Sequence, residues 1–233
     1  MSEVLRRAQA SDREALIALW MQAFGDTREE VERFLQVFAC ERTAYVLCED
    51  GWVCSMLFVL PTAVQDGNHR FAAGYIYAGA TRADARSKGY YRRLLAYVAQ
   101  AERDKGTAAL LLRPATDRLA DSYRRMGFTV PLYGNTDRDA KIPSGDALDA
   151  RTYAALRRER LRGQAFVDWD DRTLQYALSW CRAYTNGEHL MLCDGNTVWE
   201  YLPAVNQTET ALLMPLAEDC HFTASIWFGY GLE

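Results

Sequence analysis

Apolar positions near the start of the chain recur with a helical period. Leu16, Leu19, Trp20, Ala23 and Phe24 fall at i, i+3, i+4, i+7 and i+8, which places them on one helical face. Ser11 and Glu14 precede them with the spacing of a capping box, in which a serine hydroxyl and a glutamate satisfy free amides at a helix start. Thr27 and Glu30 repeat that spacing before a second stripe of Val31, Phe34, Leu35 and Phe38. The pattern predicts a short strand over 4–8 and then two helices joined at the break Gly25-Asp26.

The period then shortens to that of strands. Residues 43–48 and 52–60 flank Asp50-Gly51, a strong hairpin turn signal, and Asp66-Gly67-Asn68 turns the chain into 70–80. Residues 52–60 and 75–80 are almost continuously apolar, so both faces of these strands are expected to be covered. Gly89 leads into a helix with Tyr91, Leu94, Leu95, Val98 and Ala99 on one stripe, closed by Lys105-Gly106. A buried strand at 108–112, a helix at 117–126 ended by Gly127, and a strand opening at 128–131 follow. The order β-α-α-β-β-β-α-β-α-β predicts an α/β fold of the α+β type, a mixed sheet with helices on both faces.

Turn-forming residues and aspartates over 132–150 read as a linker between a first domain, 1–131, and an extension, 151–233. The extension predicts helices near 151–161 and 174–181, a hairpin about Asp194-Gly195-Asn196, and strands at 211–215 and 224–230. Two helices followed by a hairpin repeat the opening pattern, either as a degenerate half-copy or as a coincidence of two short elements. The aromatic stretch 225–231 would be an aggregation hazard as an open edge. It is expected to pair with its own hairpin or with the first domain, bringing Tyr230 and Glu233 to the junction. That junction forms either a structural cap or one wall of an acceptor pocket.

Composition narrows the classes. A formal net charge of −4 argues against a general nucleic-acid binder, which needs a concentrated basic face. Apolar runs fall well short of the roughly 20 residues that cross a membrane, and the start lacks the basic flank and apolar core of a signal peptide, so no membrane partner and a cytoplasmic location are expected. The 6 cysteines include no C-x-x-C pair and the histidines are scattered, which predicts reduced buried thiols and no metal. The sequence leaves the oligomeric state open, a homodimer included.

The chemistry concentrates at 75–95, where a buried strand runs through Arg86-Ser87-Lys88-Gly89 into a helix. A helix start offers unpaired amides and a partial positive charge to an anion, and glycine lets the backbone approach closely. Alone, these residues predict either an anion site or a solvated basic turn; they fit neither a P-loop nor a dinucleotide fingerprint.

Arg86-Ser87-Lys88-Gly89-Tyr90-Tyr91 resembles the [Q/R]-x-x-G-x-[G/A] loop of the Gcn5-related N-acetyltransferases (GNATs), and Tyr123-Arg-Arg-Met-Gly127-Phe128 resembles their later Y-x-x-x-G-F segment. The resemblance covers residues 3–131, and some bacterial members carry a similar C-terminal extension. It implies an acetyl-CoA (or other short acyl-CoA) dependent N-acetyltransferase without a metal, acting on a primary amine of a small molecule or peptide by direct attack. It implies that Arg86, Ser87, Lys88, Gly89, Tyr90 and Tyr91 hold the coenzyme A pyrophosphate. Gly79, Ala80 and Thr81 would supply backbone amides to the oxyanion, and Tyr123 would protonate the departing thiolate. The acceptor is expected beside the helix break, among Trp20, Phe24, Asp26, Glu29 and Glu30, with Tyr75 and Tyr77 on the central strand. Aromatics with carboxylates suit a cationic amine; a solvated acidic face is the alternative. Tyr75 and Tyr77 read either as strand filling or as the end of a water chain that deprotonates the amine. The sequence departs from the family at Tyr91, where Gly or Ala is usual, at Ala83 and Ala85, where proline and an aromatic are frequent, and at Thr116, where an asparagine is common. On its own residues Tyr91 is expected to point into the core. These departures keep two further readings in view, an inactive acyl-CoA-binding sensor and a nucleotide-binding module.

Overall fold

The computed structural model describes residues 2–135, 145–204, 207–218, 220, 222 and 225–232. Element order is β1 (Glu3–Arg7), a 3₁₀ turn (Ala10–Asp12), α1 (Arg13–Phe24), α2 (Arg28–Val37), α3 (Cys40–Thr43), β2 (Ala44–Glu49), β3 (Trp52–Asp66) and β4 (His69–Thr81). A second 3₁₀ turn (Ala83–Ala85), α4 (Tyr90–Arg103), β5 (Ala109–Leu112), α5 (Asp117–Arg124) and β6 (Val130–Asn135) complete the predicted order. The remainder contains β7 (Asp146–Leu148), α6 (Ala150–Arg160), β8 (Ala165–Trp169), α7 (Asp171–Ala177), β9 (Arg182–Thr185), β10 (Leu190–Asp194), β11 (Thr197–Leu202), β12 (Gln207–Pro215) and β13 (Ile226–Trp227).

Local signals explain most of the first half. Thr27 and Glu30 form the expected capping box at α2, with the Thr27 amide bonded to Glu30 Oε2 at 2.8 Å. The box expected from Ser11 and Glu14 is not formed. The chain enters α1 through a 3₁₀ turn instead, so the Gln9 amide bonds Asp12 Oδ2 at 2.7 Å, while Glu14 pairs with Arg28 at 2.9 Å. Bidentate contacts from Arg6, at 2.6 and 2.9 Å, hold Asp12 and lower its pKa, chiefly through hydrogen bonding.

A nine-stranded sheet has the order β1-β2-β3-β4-β5-β12-β6-β13-β8, and β8 pairs back onto the far half of β3. The expected covering of both faces is observed. Phe58 and Leu60 pack in the cluster under α1 and α2, whereas Leu57 and Val59 pack in the cluster under α4 and α5. The sheet draws strands from both sides of the expected boundary at 131. β6 runs through that position into the expected linker, and β12 inserts between β5 and β6, antiparallel to both. Residues 136–144 of the linker lie outside the described residues.

In the tail, β8 separates α6 from α7, so the element order differs from that of the opening helices. The short strands β7, β8 and β9 carry no turn signal strong enough to announce them. β7, β9, β10 and β11 form a separate four-stranded sheet. The aromatic end pairs with the main sheet through β13, parallel to β6 and to β8; the expected Ala224 and Glu233 lie outside the described residues.

A buried polar cluster ties these pieces together. Glu200 of β11 is fully buried and accepts from Arg157 Nε of α6 at 2.8 Å, from Trp227 Nε1 of β13 at 2.6 Å, and from the Tyr153 hydroxyl. Arg157 also donates to the Val167 carbonyl of β8 at 2.6 Å. Burying these charges is tolerable because each finds several partners. Among the described residues no helix is long and apolar enough to cross a membrane, no group of His, Cys, Asp or Glu is placed to hold a metal, and the cysteines are buried.

Candidate active site

The site forms where β4 and β5 part. Their parallel ladder ends at Tyr75↔Leu111, while β4 continues to Thr81. Opposite, a bulge between Met56 and Phe58 sets Ala78 at φ 47°, in the left-handed region, and turns the strand outward. The Ser55 hydroxyl donates to the Ala80 carbonyl at 2.9 Å and lies 3.0 Å from the Thr81 hydroxyl, fixing the bulge from the β3 side. Of Gly79, Ala80 and Thr81, Gly79 borders the open wedge, while Ala80 is buried.

The approach from β4 to α4 is firm despite Ala83 and Ala85. Ala83–Ala85 forms a 3₁₀ turn, the Ala83 amide bonds Gln22 Oε1 of α1 at 3.1 Å, and Arg82 pairs with Asp84 at 2.6 Å. Ser87 and Gly89 then take φ values of 65° and 75°, and Gly89 stands at the N-cap of α4 without a side-chain cap. Two left-handed residues so close together fold the chain into a concave turn beneath the helix start, a geometry that gathers amides toward an anion. Arg86 Nε donates to the Thr81 carbonyl at 3.3 Å. Lys88 lies 3.7 Å from Glu49 and 5.5 Å from the centre of the Tyr90 ring. Tyr90, expected in the loop's binding surface, buries its side chain with Leu94 and Leu95, so it offers backbone only.

Tyr91 packs, partly buried, against the cluster under α4 and α5, as its stripe position predicts, and its ring also lines an adjoining chamber. It sits in the first turn of α4, beyond the end of the β5 ladder, and its ring projects into the wedge. A Cβ at Gly79 would lie 2.5 Å from the Tyr91 hydroxyl, which is 3.2 Å from the hydroxyl of Tyr123. Burial pushes the Tyr123 hydroxyl above its ordinary pKa, and its bond to Tyr91 opposes this; burial pushes Tyr91 well up also. Both are therefore neutral at pH 7, and the structure has Tyr123 donating to Tyr91.

A chamber of about 630 Å³ joins these groups to the expected acceptor residues. Gly79, Tyr91 and Tyr123 line one part; Trp20, Phe24, Asp26, Tyr75 and Tyr77 line another. Trp20 is buried and donates Nε1 to Asp26 at 2.7 Å, and Phe24 is 48% exposed at the rim. Tyr75 is buried and donates to the Leu232 carbonyl at 3.1 Å. Glu30 lines a neighbouring cavity, and Glu29 is exposed and paired with Arg33, so neither borders this chamber. Thr116 caps α5 by accepting from the Leu119 amide at 3.2 Å. Arg113 and Leu232 line the chamber without having been expected there. Arg113 had a signal, a charge directly after an apolar strand; Leu232 arrives through tertiary structure alone.

The model of the acetyltransferase (GNAT) domain matches residues 4–130, and the chain belongs to that family. Among solved structures it is similar to a GCN5-related N-acetyltransferase from Kribbella flavida, with TM-score 0.64, 18% identity, and coverage of 88% of this chain and 58% of that one. A GCN5-related N-acetyltransferase from Anabaena variabilis gives TM-score 0.60 and 16% identity, covering 93% of this chain and 59% of the other. Eis1 from Mycobacterium abscessus gives TM-score 0.62 and 11% identity, covering 92% and 74%. The chain thus spans less than two thirds of the length of the first two. No curated protein sequence matches the chain significantly.

Proposed function

We propose that the chain transfers an acetyl group, or another short acyl group, from coenzyme A to a primary amine. One observation carries the reading: Gly79 of the parting strand and the neutral Tyr123 line a single chamber with an aromatic and acidic far wall.

The residues fit an acyl-CoA in its phosphate region. The start of α4 has amides without a side-chain cap, Arg86 and Lys88 add charge, and Gly89 leaves the backbone approachable. When bound, acyl-CoA supplies an activated thioester. Backbone amides of Gly79–Thr81, beside the chamber that Gly79 lines, would meet negative charge developing on the acyl oxygen. Tyr123 keeps its proton at pH 7 and can donate it to the leaving sulfur. Asp26, held by Trp20, and the ring of Tyr77 orient a cationic amine; Tyr75 and Tyr77 remain the candidates for the route by which that amine loses its proton.

Tyr91 favours a second reading, an acyl-CoA sensor without turnover, because its phenol spans the space from Gly79 to Tyr123 where the reacting group would lie. Mixing the protein with acetyl-CoA, a panel of amines and a thiol reagent separates the two. Amine-dependent thiol release supports the transferase, and saturable acetyl-CoA binding with release no faster than without protein supports the sensor.

A further inference from the structure

A second cavity, of about 320 Å³, adjoins the chamber and shares Trp20, Asp26 and Tyr77 with it. Its far side comes from the tail: Tyr176 of α7, Trp180 just after it, Asp194 at the end of β10 and Trp199 of β11. Tyr176 packs edge-on against Phe34 and Phe38 of the opening helices, each at 5.6 Å, and Trp180 meets Tyr176 at 4.7 Å and 80°. These contacts fix two aromatic rings without a partner chain. The Trp199 ring already carries the Arg113 guanidinium at 5.4 Å, so Tyr176 and Trp180 are the walls that matter for a ligand.

The charges around the cavity are mostly negative. Asp26, Glu30 and Asp194 border it; Arg33 does too and lies 3.6 Å from Glu29. Burial pushes the Tyr176 hydroxyl up to about 12, with Arg33 opposing and Asp26 and Glu30 adding, and all three charged residues line the cavity with that ring. Aromatic faces beside carboxylates attract organic cations through the ring quadrupole and Coulomb attraction, more strongly where water is displaced.

We propose that this cavity is a second acceptor subsite, formed across the first half and the tail, which binds a cationic group of the acceptor remote from the amine that is acetylated. The proposal rests on the transferase reading for its role in the acceptor, and it makes the preferred substrate at least dicationic. The shared residues Trp20, Asp26 and Tyr77 set the two spaces side by side, as a two-headed acceptor would require.

Choline and its neutral isostere 3,3-dimethylbutan-1-ol test the site directly on the full chain, by tryptophan fluorescence at constant ionic strength. Choline should bind saturably and roughly tenfold or more tighter than the neutral isostere. Trp180→Ala and Asp194→Asn should each weaken choline by about tenfold and leave the neutral isostere little changed. Asp194 is exposed, so Asp194→Asn tests the site even if Trp180→Ala fails to fold. Choline binding no better than its isostere, or unaffected by Asp194→Asn, overturns the subsite whether or not the protein turns over. In acetyl transfer, a diaminoalkane should exceed the amino alcohol of equal length in kcat/KM by roughly tenfold or more, and Asp194→Asn should shrink that ratio. An unchanged ratio overturns the acceptor role. Choline binding as expected with no amine acetylated would instead sink the transferase reading and leave the cation site standing.

Discussion

Two polar regions of this molecule contrast sharply. Around Glu200 the charges are fully buried and matched by Arg157, Tyr153 and Trp227, and the elements that meet there come from across the tail. Around Gly89 the backbone bends into left-handed conformations at an exposed helix start whose amides no side chain caps. Saturated polar groups leave nothing for a ligand and serve to hold strands in place. Unused donors gathered by a strained turn are what an anion site requires. The difference separates architecture from chemistry without reference to any relative.

The largest expected effect falls on the architectural side. Glu200→Ala leaves Arg157 buried without its carboxylate and should destabilise the protein by about 3–5 kcal/mol in urea unfolding. A loss below about 1 kcal/mol would erase the contrast, since the cluster would then be no more than decoration.

Next comes chemistry without architecture. Tyr123→Phe should lower kcat by about 10²-fold while acetyl-CoA affinity changes far less. An unchanged rate would return Tyr123 to a packing role. Gly89→Val forces a β-branched residue to φ 75°, a cost of about 1–3 kcal/mol that can be avoided by rearranging the turn. Calorimetry should show acetyl-CoA binding greatly weakened with the thermal transition little altered; parent-like binding would refute the assignment of the turn.

The smallest effect concerns pH. Tyr123 acts as an acid only while protonated, and its pKa is raised by burial, so the alkaline limb set by this group should lie above the ordinary value of about 10. Tyr91→Phe removes a hydroxyl that can donate to the Tyr123 phenolate and so lowers that pKa, so the limb should move slightly further up. A limb below pH 9 that Tyr123→Phe leaves in place would assign the titration to another group.

The turn proposed to hold phosphate and the tyrosine proposed as proton donor were largely legible because each is encoded within a few consecutive residues. Arg86-x-x-Gly89 needs only a strand before it and a helix after it, and Tyr123-x-x-x-Gly127-Phe128 only a helix end. The aromatic wall was legible in part: Trp20 and Asp26 border the chamber, but Glu29 faces solvent because the capping box orients the first turn of α2. For Tyr91 the stripe position predicts the packing it has, but not that its hydroxyl lies 3.2 Å from that of Tyr123 at the chamber wall.

The sequence by itself determined the opening elements, the hairpin turns and the loop that leads into α4, because periodicity, capping and turn geometry act over a few residues. Tertiary structure alone decided that β12 separates β5 from β6, that Leu232 reaches Tyr75, and that Tyr176 and Trp180 wall a cavity shared with Trp20. Those placements depend on which apolar faces find each other across long stretches of chain. An apolar stripe specifies that it must be covered, and many partners satisfy that demand equally until the whole core is assembled.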